Sequence, residues 1–158
     1  MKPVKIKDIV EEMEILSDEI NFFINKETGE IISIGEEEFS IAEELEEEED
    51  DDFSEYPEWQ QEAIKEALDI VVNYDKYIEL PDKIEINEYD IMERFCNSID
   101  NEKISDELQN AIRGRGAFRR FKDAIIRFNI EDEWYKYREN AYKQIAIEWC
   151  ELNDIEFI

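Results

Sequence analysis

Residues 113–128 read Arg-Gly-Arg-Gly-Ala-Phe-Arg-Arg-Phe-Lys-Asp-Ala-Ile-Ile-Arg-Phe, and they combine a helical repeat with a concentration of positive charge. When the stretch is drawn as a helix, most of its apolar residues share one side and most of its basic residues take the other. The apolar side comprises Ala117, Phe118, Phe121, Ala124, Ile125 and Phe128. The pattern predicts a helix over about 116–128 that packs on a core through its phenylalanines and presents a basic face outward.

Helical spacing continues on both sides of this stretch. From Pro57 onward apolar residues recur at helical intervals, with Pro57 suited to a first turn and Asn87 and Ser105 suited to N-caps. The longest helix is predicted over about 132–152. We therefore predict a mainly α fold of the α+β class, with about six helices and a core that includes Phe22, Ile24, Trp59, Ile64, Leu68, Phe95, Phe118, Phe121, Ile125, Trp134, Ile145 and Trp149.

The first 35 residues predict a helix followed by a small β-hairpin. The helical repeat is carried by Ile6, Ile9, Val10, Met13 and Leu16. Two β-prone runs follow at 21–24 and 30–34, and Gly29 between them can adopt the left-handed conformation that a short hairpin loop needs. Because an isolated hairpin is marginal in water, its apolar face is expected to pack on a helix.

Acidic residues dominate the chain. Asp and Glu number 45 against 18 Lys and Arg, which gives a formal net charge of -27. Residues 27–64 contain no basic residue, and nine of the ten positions in 43–52 are acidic, Leu45 being the exception. Because like charges at this density repel one another, 43–55 is predicted to be a flexible acidic linker within a single domain spanning 1–158. A short helix is predicted just before it, over 37–42.

Several function classes are excluded by what the chain lacks. It has no histidine, which removes Ser-His-Asp and Cys-His catalysis and His-containing zinc sites. It also lacks the phosphate-loop, dinucleotide-binding and EF-hand motifs. Carboxylate pairs at helical spacing are so frequent here that none of them marks an active site. We expect a non-catalytic protein with no cofactor and no metal site, and a carboxylate-based enzyme is kept as an alternative.

The sequence also predicts a compartment. No apolar run approaches the ~20 residues that span a bilayer, and the N-terminus does not resemble a signal peptide, so no membrane association is expected. Cys96 and Cys150 lack metal-like spacing and lie among apolar residues at helical intervals. We interpret them as small core residues in a reducing compartment and predict a cytoplasmic protein.

The basic helix is the feature to which a binding role can be attached. Two glycines precede the free backbone N–H groups of a helix N-terminus, and guanidinium groups lie beside them. These are the donors that bind phosphate or carboxylate in proteins. The candidate anion-binding site comprises Arg113, Gly114, Arg115, Gly116, Arg119, Arg120, Lys122 and Arg127.

Several interpretations of this site stay open. The basic face could pair with the chain's own carboxylates, or it could dock an acidic or phosphorylated segment of another protein, which is the binding or regulatory function we favour. Nucleotide or nucleic-acid binding is a further alternative, with Phe118, Tyr135 and Tyr137 as stacking candidates, although the net negative charge repels polyanions. The acidic surface could instead mimic a nucleic acid. A homodimer through an apolar helix face is left open.

Over nearly its full length the sequence resembles a known bacterial family. The resemblance rests on the run 113–123, Arg-Gly-Arg-Gly-Ala-Phe-Arg-Arg-Phe-Lys-Asp. It extends to Trp134 and to the segments 5–10, 26–30, 56–59 and 145–150. That family is known only as an uncharacterised protein family. The resemblance implies a small bacterial intracellular protein and brings no activity, cofactor or catalytic residue.

Overall fold

The computed structural model describes residues 3–15, 19–50, 52–81 and 86–158. Within these ranges the chain forms seven α-helices and three β-strands, which confirms a mainly α fold of the α+β class. The first half contains α1 (Ile6–Glu14), β1 (Ile20–Asn25), β2 (Ile31–Gly35), α2 (Glu36–Glu47), α3 (Glu58–Val72) and β3 (Tyr77–Glu79). The second half contains α4 (Glu88–Ser98), α5 (Glu102–Ala111), α6 (Ala117–Arg127) and α7 (Glu131–Leu152). Leu16, expected in the first helical repeat, lies outside the described residues.

The chain is organised as two compact units. The first unit comprises residues 1–83 and 146–158, and the second unit comprises residues 84–145. A single domain over 1–158 stays a prediction. No helix within the described ranges has the length and apolar character needed to cross a membrane.

The sheet of the first unit confirms the predicted hairpin. Its strand order is β2-β1-β3 with both pairs antiparallel, and Ile24 of β1 lies opposite Ile31 of β2. The hairpin turn uses Gly29 at φ 77°, the left-handed conformation predicted for it. Phe23 of β1 is buried and stacks on Phe39 of α2 with ring centroids 5.5 Å apart. The sheet therefore packs on a helix, as expected.

The helix before the acidic run is longer than predicted. Helix α2 ends at Glu47, so residues 43–47 are helical. Leu45, the apolar residue within the run, is buried together with Ala42, and this burial anchors the last turns of α2 to the first unit. The flexibility of 43–55 stays a prediction.

The helices of the second unit pack around an aromatic cluster. The ring centroid of Phe95 lies 6.0 Å from that of Phe121 and 5.3 Å from those of Trp134 and Tyr137. Phe121 and Trp134 are also in edge-to-face contact, with their centroids 4.8 Å apart. Edge-to-face rings add to the stabilisation that comes from burying apolar surface. The cluster therefore fixes α4, α6 and α7 against one another.

One of the two predicted helix caps is correct. The Asn87 side chain accepts a hydrogen bond from the backbone N–H of Asp90 at 3.0 Å and caps α4 as predicted. The Ser105 cap is wrong, because α5 begins earlier and is capped by Asn101. Ser105 lies inside α5, where its hydroxyl donates to the Cys96 carbonyl oxygen at 2.7 Å. The serine thus connects α5 to α4.

The predicted core is largely confirmed, with two exceptions. Trp59 and Phe118 are 73% and 53% exposed, so their assignment to the core is wrong. Trp59 lies in the first turn of α3, ahead of Ile64, the first apolar side chain that this helix buries. The buried side of α6 consists of Ala117, Phe121, Ala124 and Ile125. Phe118 lies at the edge of this side. Two further predicted core residues, Leu68 and Ile145, are half-buried.

Both cysteines are free and buried, as predicted, and this gives the stability a pH dependence. Burial raises the pKa of the Cys96 and Cys150 thiols to about 11. The unfolded chain therefore loses these protons first as the pH rises, so the free energy of unfolding should fall between about pH 8 and pH 10, by on the order of 1 kcal/mol per thiol.

Urea unfolding at the two pH values measures this loss. The Cys96→Ala/Cys150→Ala variant serves as the control and should lose less stability over the same interval. An equal loss in that variant would show that the thiols are not the cause.

Candidate docking surface on helix α6

Helix α6 begins after a loop that contains two left-handed glycines. Gly114 and Gly116 both have φ 73°, and Gly116 is the N-cap of α6. Most other residues would be strained at either position. At Gly116, an added Cβ would also lie 3.1 Å from Nη1 of Arg120. The two glycines therefore shape the turn between α5 and α6, which carries Arg113 and Arg115.

The guanidinium group of Arg120 is engaged by this loop. Its Nε donates to the carbonyl oxygen of Ala111 at 2.8 Å, and its two terminal nitrogens donate to the carbonyl oxygens of Arg113 and Arg115. These charge-assisted hydrogen bonds satisfy acceptors at the end of α5 and in the loop. Arg120 therefore holds the loop against α6, a role that the charge pattern of the sequence did not indicate.

Arg127 is engaged within the second unit as well. Its Nη2 lies 3.5 Å from Oε2 of Glu107 in α5, and its guanidinium carbon lies 4.9 Å from the ring centroid of Phe128. Both members of the ion pair are largely exposed, so the pair contributes little to stability. Arg127 is thus the one residue of the site that pairs with a carboxylate of the same chain within the described ranges.

The other four basic side chains of the site point to solvent. Arg113, Arg115, Arg119 and Lys122 are exposed, and no carboxylate within the described ranges lies at ion-pair distance from them. This occurs in a chain whose acidic residues outnumber its basic ones by 45 to 18. The candidate site therefore divides into two engaged cations, Arg120 and Arg127, and four that are available to a ligand.

Two apolar side chains are exposed on α6 together with Arg119 and Lys122. Phe118 is 53% exposed and Ile126 is 57% exposed. Phe118, Lys122 and Ile126 follow one another at i, i+4 and i+8, so they form a row with ~6 Å between members along the helix axis. The i, i+4, i+8 spacing could have indicated this row from the sequence. It was masked because Phe118 also fits the apolar side of the helix. We call Phe118, Arg119, Lys122 and Ile126 of α6, together with Arg115 in the loop just before it, the basic–apolar face.

The start of α6 favours a negatively charged ligand. Its first turn contains no acidic residue, and Gly116 offers no side-chain cap. Arg119 and Arg120 both lie in this turn. Because a helix N-terminus carries partial positive charge, cations placed there raise the local positive potential. A carboxylate or phosphate bound at this end would therefore be stabilised both by the helix and by the side chains.

The first unit carries a groove of opposite charge. Its volume is about 730 Å³, and its lining includes Asp8, Glu11, Glu12, Glu30 and Glu66. Burial, together with repulsion from Glu11 and Asp8, raises the pKa of Glu12. Within the described ranges, no three or more Cys, Asp or Glu side chains are arranged to hold a metal ion. The lining also contains Lys5, and the acidic residues outnumber it, so the groove carries a net negative charge.

Comparison with known proteins adds a family relationship. Residues 55–158 match the model of UPF0158, described as an uncharacterised protein family. A UPF0158 protein of Pseudomonas aeruginosa is 27% identical to this chain over 67 residues, which cover 42% of this chain and 44% of that protein. The chain thus spans less than half the length of the curated relative it matches. No solved structure matches it. The matched range includes α3 and the whole of the basic–apolar face.

Proposed function

The chain belongs to the uncharacterised protein family UPF0158, and for it we propose a non-catalytic binding or regulatory role in which the basic–apolar face of α6 docks an acidic segment of another protein. The setting we propose is the bacterial cytoplasm. The two free, buried cysteines suit a reducing compartment.

One observation carries this proposal. Arg113, Arg115, Arg119 and Lys122 are exposed and have no carboxylate partner among the described residues, in a chain with a net charge of -27. Cations left available beside exposed apolar side chains are typical of surfaces that receive a partner.

The apolar residues favour a protein segment over a nucleic acid. Phe118 and Ile126 alternate with Lys122 along one row, so a ligand that covers the row brings apolar groups and negative charges at similar intervals. An acidic amphipathic helix can have this pattern, with apolar side chains at i and i+8 and a carboxylate between them at i+4. A nucleic acid brings a continuous line of phosphates, which does not alternate with apolar side chains in this way.

A binding experiment with labelled peptides tests the proposal. The probe is a fluorescein-labelled peptide with a leucine at every eighth position, a glutamate midway between leucines, and alanine and glutamate at the other positions so that it can form a helix. Its affinity is measured by fluorescence anisotropy. We expect binding that weakens with salt and that falls at least about tenfold in Arg119→Glu/Lys122→Glu, because each reversal replaces an attraction by a repulsion. Replacing the leucines by serine should also weaken binding.

Controls distinguish this result from a general charge effect. The variant Lys103→Glu/Lys136→Glu makes the same change in net charge at exposed lysines outside α6 and should bind the peptide as the wild type does. Absence of binding even at low salt would refute the proposal. Tighter binding of a single-stranded RNA than of the peptide would favour the nucleic-acid function, and a phosphoserine peptide that binds without leucines would favour a phosphorylated partner.

A further inference from the structure

A second exposed aromatic surface, of opposite charge, lies on α3. Trp59 is 73% exposed, which is unusual for so large an apolar side chain. Glu58 precedes it in sequence, and Glu62 and Glu66 lie at +3 and +7, close to the side of the helix that Trp59 occupies. Glu55 lies in the turn just before the helix. All four are exposed, and no basic residue of the described ranges lies at ion-pair distance from them. We call these five residues the acidic Trp59 face.

We propose that the acidic Trp59 face of one copy of this chain docks on the basic–apolar face of a second copy. This inference rests on the proposed function, because it identifies the acidic segment that α6 receives. Charge complementarity supports it, since three cations of the α6 face would meet a surface with four carboxylates. The apolar groups are complementary as well, because Trp59 can cover Phe118 and Ile126.

The chemistry of the two faces suits a small, specific contact. Trp and Arg are the residue types most enriched among those that dominate interface energetics. The Trp59 ring can accept a cation over its face, and Arg115 and Arg119, which flank Phe118 in sequence, are exposed. Covering Trp59 and Phe118 would remove two large aromatic surfaces from water, which supplies the apolar part of the free energy of association. The charged residues around them would fix the orientation.

The net charge of the chain sets the conditions in which this contact forms. Two copies, each with a net charge of -27, repel at long range. At physiological ionic strength the Debye length is about 8 Å, so the long-range repulsion is screened while contacts within the interface are less affected. The two faces are different surfaces, so the contact is heterologous. Because association of two copies follows mass action, the average mass in solution should rise with protein concentration.

Sedimentation equilibrium of the full chain at physiological salt tests the inference. We expect an average mass that rises above 19.0 kDa as the concentration increases. Trp134 and Trp149 are buried, so acrylamide quenching of tryptophan fluorescence reports mainly on Trp59 and should decrease over the same concentrations. Trp59→Ala should weaken self-association about 30-fold, the effect of removing a dominant interface residue. Tyr74→Ala, at an exposed aromatic outside both faces, should leave it unchanged.

Charge reversal on each face shows whether they contact each other. Variant A carries Glu55→Lys, Glu58→Lys and Glu62→Lys, and variant B carries Arg115→Glu, Arg119→Glu and Lys122→Glu. Each variant alone should stay monomeric, because its own two faces now have the same charge. A mixture of A and B should associate, because the reversed faces match, and misfolding of either variant would not produce this recovery.

Two results would overturn the inference. One is a wild-type mass of 19.0 kDa at every concentration, and the other is a mixture of A and B that stays monomeric while the wild type associates. Failure of the proposed function is distinguishable from these results. If the chain is monomeric but binds the leucine-containing acidic peptide through α6, docking between copies is wrong and the proposed function stands. If it does neither, both are wrong.

Discussion

Phe121→Ala is expected to lower the free energy of unfolding by about 3–5 kcal/mol. Phe121 is 2% exposed and contacts the rings of Phe95 and Trp134. Removing its ring leaves a cavity between α4, α6 and α7, and the surrounding rings lose both contact area and edge-to-face geometry. Urea unfolding followed by circular dichroism measures the loss.

Phe118→Ala is the matched control for this prediction. It removes the same ring from the same helix, one turn earlier, at a position that is 53% exposed. We expect a change within about 1 kcal/mol, because much of this ring is in water in both the folded and the unfolded state. Similar losses of stability in the two variants would mean that α6 does not pack on the core through the side that contains Phe121.

Arg120→Ala is expected to lower the free energy of unfolding by about 2 kcal/mol. Three backbone carbonyl groups, those of Ala111, Arg113 and Arg115, would lose a charged hydrogen-bond donor. Their exposure lets water replace part of this interaction, which keeps the expected loss below that of a buried network. Amide hydrogen exchange within 113–117 should also become faster, because the loop would no longer be held against α6.

Two variants separate geometry from charge in this prediction. Arg119→Ala removes an equal charge from the adjacent residue, which has no such hydrogen bonds, and should change stability by less than about 0.5 kcal/mol. Arg120→Lys keeps the charge but cannot reach three acceptors in the same directions, so it should restore only part of the stability. Full restoration by lysine would show that charge alone accounts for the effect.

The main features of the fold could be predicted from apolar periodicity. The hairpin, the long C-terminal helix and the burial of Phe95, Phe121 and Trp134 follow from the spacing of apolar residues along the chain. The strand β3 was not predicted as such because it is only three residues long. The cap of α5 was misassigned because Ser105 and Asn101 are both good capping residues. A contact with the Cys96 carbonyl keeps the serine inside the helix.

The candidate site was predictable in position but not in detail. Clustering of basic residues identifies α6, since charge is read directly from the sequence. The partners of Arg120 could not be found in this way, because they are backbone carbonyl groups of a loop without periodicity. Trp59 and Phe118 were misplaced for a related reason. Periodicity locates the middle of a buried arc well, and the residues at its edges much less well.

The close approach of Arg120 to Gly116 restricts how this turn can diverge among related chains. A residue at φ 73° is usually glycine, but asparagine and aspartate tolerate that conformation too. Here a Cβ would come within 3.1 Å of the Arg120 guanidinium, so these substitutes are hindered as long as the arginine is held against the loop. Positions 116 and 120 should therefore change together in evolution, and a chain that loses the arginine is expected to accept asparagine or aspartate at 116.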